Sequence, residues 1–409
     1  MGNSKRDLVI VLYTIVILLM CIFCLTGDAR LNSVRYVYTI IMMGVTIRSS
    51  YIVKNKSVFV IVGLFVLHTL VFGYCCVPEN ISSFVHDNAK EQLIFWIFVF
   101  TTANYVYRKR LTEQFLYISQ MCMALLVDYS YITHFNGIAP IKFLPRLLQG
   151  GNNRVRFSFG FTSWNTMAYT AVAAIMLTII VIRNRRNIGK GIDFYWIFNS
   201  MSLLISILVV LSTQSVGAIL AVGLYFFVIR MFDTKFRLLN KAFVSQLLKF
   251  RALLTVGSLL ITYAIYVLRI SKSRSYWISL NSRIFNMYSN KLIGLGYTTF
   301  TGFLHDVFDY GTGPIDSYYV YILYSTGILG FAMIMIALTY MLFRYVKLYA
   351  AGRTDKLDDS IISLFIVILF ICFNESSLVL PFESQTYIYW ILFLLVFFKS
   401  DGVTKKGVR

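Results

Sequence analysis

Apolar runs of membrane-spanning length, separated by short basic segments, recur along the whole chain. A spanning helix needs roughly 17 to 25 mainly apolar residues, fewer where flanking aromatic and basic residues extend its reach. By that measure the pattern predicts about twelve spans. The first six are centred in 8–25, 34–47, 57–77, 93–107, 111–127 and 166–182, and the others in 194–211, 216–229, 253–268, 318–343, 360–373 and 387–398. The second, fourth and last are short. The expected fold is an all-α polytopic integral membrane protein, a single membrane domain over residues 1–409. The run 8–25 follows Lys5 and Arg6 as the core of a signal peptide would, but no small-residue cleavage site follows it, so it reads as an uncleaved first span.

Composition agrees with the pattern. The chain is 58% hydrophobic and only 14% charged, which excludes a soluble core. Its net charge of +20 raises the question of nucleic acid. The lysines and arginines, however, sit in clusters between apolar runs, where membrane topology requires them, so no nucleic-acid partner is expected. The six cysteines lie in or beside apolar runs with neither a disulfide framework nor zinc-ligand spacing. No metal or cofactor is expected.

Charge then orients the spans. With a cytoplasmic N-terminus, the inside segments hold roughly 26 of the 38 basic residues, which fits the positive-inside rule. Both termini are thereby placed in the cytoplasm. Two outer loops depart from that rule: one of about 35 residues over 128–162 and one of about 48 over 269–317, both longer than ordinary connections. The first carries Lys142, Arg146, Arg154 and Arg156, and the second Arg269, Lys272, Arg274, Arg283 and Lys291. Basic residues where topology disfavours them point to a bound anion.

Within the first loop, GGNNRVRFSFGFTSWN (150–165) combines turn-forming Gly and Asn with Arg154 and Arg156 at alternate positions, which point the same way in an extended segment. Guanidinium forks bind phosphate oxygens bidentately and stay charged; the alternative is that these arginines snorkel to lipid head groups. In the second loop Arg283 precedes Gly294 and Gly296, the latter pair being either a turn or a ligand-approach element. Tyr276, Trp277, Phe285 and Tyr288 suggest an interfacial amphipathic helix that holds Arg283 at head-group height.

His305, Asp306, Asp309 and Asp316 are candidate general bases, since a carboxylate in a partly dry site is raised towards the working range. A solvated acidic loop explains the first three equally well. Asp316 differs because it stands at the start of an apolar span, where an unused charge is costly. Glu375, at the outer end of the eleventh span, either pairs an arginine or acts directly. His68, inside an apolar run, reads as hydrogen-bonded packing rather than as a ligand.

At three of these places the chain resembles the Wzy-like polymerases of bacterial surface polysaccharides, in the O-antigen ligase and polymerase superfamily. RFSFGFTSWN (156–165) is similar to that family's R-x-x-G-F-x-x-x-N stretch, with three residues instead of two between Arg156 and Gly160 and with Trp164 where a proline is common. RIFNMYSNKLIG (283–294) fits its R-x10-G pattern. IDSYYVYILYSTGILG (315–330) resembles its I-D-N-x-Y-x-x-x-L-x-x-x-G-I-x-G stretch, with Ser317 in place of the asparagine.

The resemblance implies a polymerase in the bacterial plasma membrane that joins oligosaccharide repeat units carried on undecaprenyl pyrophosphate at the outer face. It needs no nucleotide sugar, metal or cofactor, because the lipid pyrophosphate is already an activated leaving group. Arg154, Arg156 and Arg283 would hold the pyrophosphate, and Asp316 would act as base or orient the acceptor. Asn165, Gly294, Gly296, Tyr319 and Glu375 would contribute to substrate binding, with Tyr321 a further candidate for the sugar path unless both tyrosines only pack. A chain-length regulator and a flippase would be partners alongside membrane lipids. The rival readings are a lipid-linked oligosaccharide flippase or other transporter and an O-antigen-type ligase. A glycosyltransferase that uses polyprenyl-phosphate sugars fits less well, because the outer loop 26–33 is too short to hold its acids.

Overall fold

A computed structural model describes residues 7–48, 52–53, 55–77, 82–134, 157–161, 164–184, 194–213, 215–232, 291–294, 296–297, 318–373 and 383–402. The described residues are all-helical. In chain order the helices are α1 (Leu8–Thr26), α2 (Ala29–Arg48), α3 (Lys56–Leu70), α4 (Ser82–Lys109), α5 (Thr112–Thr133), α6 (Trp164–Asn184), α7 (Phe194–Thr213), α8 (Val216–Met231), α9 (Tyr318–Ala350), α10 (Lys356–Ile371) and α11 (Ser384–Gly402). A single π-helical turn, Val71–Cys75, extends α3. Each expected span except 253–268 has its helix, and that span lies outside the described residues.

Six helices among the described residues are long and apolar enough to cross a membrane. They fall in α1, α3 with its π turn, α5, α6, α7 and the part of α9 after Tyr324. Of the others, α2 and α4 carry charged side chains towards both ends, and the apolar stretches of α8 and α11 are short.

Polar residues set the helix ends. Asp7 caps α1 by accepting from Val9 N–H at 3.0 Å, and Asn55 caps α3 by accepting from Val58 N–H at 3.0 Å. Asp355 and Asp358 form a capping box at the start of α10. These side chains satisfy amides that the first helical turn leaves open. Helix α5 continues to Thr133, past the end at Val127 read from hydropathy, so Asp128 belongs to the helix and not to the loop.

Helix α6 is the most enclosed of the six, with 83% of its apolar window buried against 39–56% for the others. It packs on α5, α7, α8 and α10, while α11 packs on α3, α4, α5 and α10. All residues from Tyr387 to Phe398 of α11 are buried. Around this interior, α2, α5, α7 and α9 turn apolar side chains outward, including Ile40, Ile132, Leu204 and Ile336. A bilayer covers such side chains as readily as protein does.

Long-range contacts sort the helix ends into two groups. At one end Tyr105 donates to Asp7, Asn55 Nδ2 donates to Phe397 O at 2.8 Å, and Lys399 pairs with Asp358 at 3.0 Å and with Asp355. At the other end Arg35, Glu91 and Tyr387 meet, and the described pieces of both long loops, 157–161 and 291–297, lie there. This second end is the loop end.

Candidate functional site at the loop end

The site is built on a broken helix. Gly327 has φ 64 and ψ −169, which interrupts α9 one third of the way along. A break of this kind opens backbone amides that water cannot reach at membrane depth, and another segment has to satisfy them. The second long loop does so: Ile328 N–H donates to Lys291 O at 3.1 Å and Leu329 N–H donates to Leu292 O at 3.0 Å. In return, Gly296 N–H donates to Ser325 O at 2.5 Å.

Two irregular backbones come this close only because both carry glycine. A Cβ on Gly294 would lie 2.4 Å from Gly327 N, and one on Gly327 would lie 2.3 Å from Leu292 O. Gly294 and Gly327 also have positive φ, which disfavours any side chain there. Gly294 and Gly296 therefore serve a turn and a close backbone approach.

His68, fully buried on α3, ties this junction to the rest of the bundle. One ring nitrogen bonds the Tyr297 hydroxyl and the other faces Thr326 Oγ1 at 3.3 Å. Two residues beyond His68 the regular helix ends at Leu70 and gives way to the π turn. Tyr297 is held a second time, as Asn88 of α4 donates to its carbonyl at 2.9 Å. His68 is thus the hydrogen-bonded packing residue its apolar setting predicts, while Tyr297 and Asn88 are additions that only the structure supplies.

One turn along α4 from Asn88, Glu91 pairs with Arg35 of α2 at 2.5 Å. Tyr36 donates to the same carboxylate, and Arg35 also donates to the Tyr387 hydroxyl at 3.4 Å. Arg35 is 3% exposed and Glu91 19%. An ion pair this enclosed needs its extra hydrogen bonds to offset desolvation.

The first long loop rejoins the bundle through residues 157–161. Ser130 Oγ donates to Phe159 O, and Gly160, with φ 84, lies where a Cβ would strike the His134 ring at 2.5 Å. Asn165 follows, half-buried in the first turn of α6. Tyr319 donates its hydroxyl to Leu369 O at 2.9 Å, with its ring 4.6 Å from that of Phe373. It therefore joins α9 to α10, and its hydroxyl is already engaged. Tyr321 is buried.

Of the residues expected to act, Arg154, Arg156, Arg283, Asp316 and Glu375 lie outside the described residues, as do His305, Asp306 and Asp309. No grouping of His, Cys, Asp and Glu that would hold a metal occurs among the described residues. No protein-family model matches the chain, and no curated protein matches it.

Proposed function

We propose that the protein is a polymerase of a bacterial surface polysaccharide, acting at the outer face of the plasma membrane on repeat units linked to undecaprenyl pyrophosphate. The observation that carries this reading is the contact between two of the three stretches that resemble such enzymes. RIFNMYSNKLIG ends at Gly294, IDSYYVYILYSTGILG contains Gly327, and these two glycines meet backbone to backbone. The contact brings the loop of Arg283 onto the helix that follows Asp316.

In the proposed reaction a hydroxyl at the non-reducing end of an incoming unit attacks the anomeric carbon of the growing chain. The new glycosidic bond forms as the bond to the lipid pyrophosphate breaks. Arg154, Arg156 and Arg283 stabilise the charge that develops on the departing pyrophosphate, a fixed electrostatic contribution that strengthens in the transition state. Asp316 accepts the hydroxyl proton. The activated leaving group removes the need for any other cofactor. The loop end faces outwards, and both termini lie in the cytoplasm.

Arg283→Ala is expected to abolish long-chain polymer while the protein remains at normal abundance in the membrane. Polymer of normal length from that variant would remove the pyrophosphate role. Asp316→Asn is expected to lower polymer yield more than Asp309→Asn does, and equal yields would take Asp316 out of the mechanism.

The broken helix also favours a second reading, a lipid-linked oligosaccharide flippase, because transporters build their sites on discontinuous helices. A deletion strain separates the two. Single repeat units accumulating on the outer leaflet support the polymerase, and accumulation on the inner leaflet supports the flippase.

A further inference from the structure

Past its break, α9 keeps one face outward. Ala332, Ile336, Thr339, Phe343 and Val346 follow one another at spacings of four and three, and all are exposed. Thr339 is short between the long side chains of Ile336 and Phe343, and a shallow groove opens there, lined also by Met335 and Tyr340. From Met335 to Phe343 the groove runs about 12 Å along the axis. Its lining is apolar apart from two hydroxyls, so it fits a hydrocarbon chain.

A cation stands at the end of the groove farther from the loops. Lys347 is exposed, one turn beyond Phe343, and its Nζ lies 4.3 Å from the centre of the Phe343 ring. Side chains on a helix lean towards its N-terminus, which for α9 is the loop end, so the ammonium is turned back over the apolar face. A lysine near a helix end ordinarily does the opposite and reaches out to water. The ring face replaces only part of the hydration lost there. An anion at the same depth supplies the rest.

The carboxylates near this end are engaged elsewhere: Asp355 and Asp358 hold Lys399, and Asp359 accepts from Tyr345 at 2.7 Å. Arg353 and Lys356, exposed in the turn after α9 and at the start of α10, add positive charge. Arg353 N–H donates to Leu348 O at 3.0 Å, which keeps that residue level with the last turn of α9. A phosphate tethered to an acyl chain suits both the ammonium and the groove, and a head group with no cation of its own meets no repulsion from this basic end. We propose that this face of α9 binds an anionic phospholipid of the phosphatidylglycerol type, its phosphate against Lys347 and one acyl chain in the groove beside Thr339. The site is independent of the polymerase reading, and neither stands or falls with the other.

The test uses the purified full chain in detergent, with phosphatidylglycerol or phosphatidylcholine of the same acyl chains added. Retained lipid is counted by native mass spectrometry, and the thermal midpoint is read alongside. The expected result is one tightly retained phosphatidylglycerol and a midpoint raised more by that lipid than by phosphatidylcholine. Lys347→Gln is expected to abolish the preference, whereas Lys109→Gln, which removes a basic residue at the same end on α4, leaves it intact. Thr339→Trp fills the groove and is expected to weaken phosphatidylglycerol binding by about tenfold, the equivalent of about two methylene groups no longer buried. Equal retention and equal midpoints with the two lipids overturn the proposal, as does an undiminished preference in Lys347→Gln. Loss of the preference in Lys109→Gln as well would make it a matter of net charge and also overturns it. In a chain whose single cysteine is Thr339→Cys, an oxidised dimer would seat a second copy on this face and overturn it too. Should Thr339→Trp fail to fold, the surface change Lys347→Gln decides the matter.

Discussion

Single residues at the loop end have unequal tolerances. Gly327→Ala must place a methyl group 2.3 Å from Leu292 O at a positive φ, so the loop has to leave the helix. His68→Ala removes two hydrogen bonds and takes the histidine partner from the buried Tyr297 hydroxyl, at a cost of about 1–3 kcal/mol, while Thr326 keeps its bond to Ile322 O. Both variants are expected to insert normally and to expose the second loop to protease, with Gly327→Ala the more severely cut. An unaltered cleavage pattern in Gly327→Ala would contradict the close approach. At this scale the sequence marked Gly294, Gly296 and His68, because glycine pairs and a histidine among apolar residues stand out locally. It did not mark Tyr297 as a partner of His68, for the two are 229 positions apart. Nothing in the residues between them records the contact.

Among the elements, α2 and α4 are the pair whose role hydropathy understates. Both carry charge in their first turns, and at the loop end those charges meet in the enclosed pair Arg35–Glu91. Glu91→Gln would leave Arg35 buried without its counter-charge, which costs about 3–5 kcal/mol. The expected outcome is a lower thermal midpoint in detergent and a partial recovery in the double variant Arg35→Met, Glu91→Gln. A double variant less stable than Glu91→Gln alone would show that Arg35 contributes through packing and its bond to Tyr387 instead of through the pair. Element type was legible from apolar run lengths alone, whereas the break in α9 and the π turn after α3 were not. Each depends on backbone partners supplied by another segment.

For the whole molecule, the two groups of helix ends make a directional prediction. Cys75 is exposed in the π turn at the loop end, while Arg353, between α9 and α10, is exposed at the opposite end. In a chain retaining Cys75 alone, a membrane-impermeant maleimide is expected to label intact spheroplasts. A chain with Arg353→Cys as its single cysteine is expected to react only after lysis. The reverse pattern would invert the membrane orientation and place the loop end in the cytoplasm. The positions of the apolar helices were readable because the bilayer imposes length and apolarity on every segment separately. Which helices occupy the interior was not, since α6 and α11 are no more apolar than α1 and owe their burial to their neighbours.

The exchange of hydrogen bonds at Gly327 makes α9 a reporter on the loop that precedes it. The amide protons of Ile328 and Leu329 are shielded by carbonyls of residues 291 and 292 and not by their own helix. In deuterated buffer they should therefore exchange at the rate at which the second loop undocks, while amides farther along α9 exchange only as the helix itself opens. Any ligand that clamps the loop would slow those two positions together, giving occupancy of the loop end a signal inside the helix bundle.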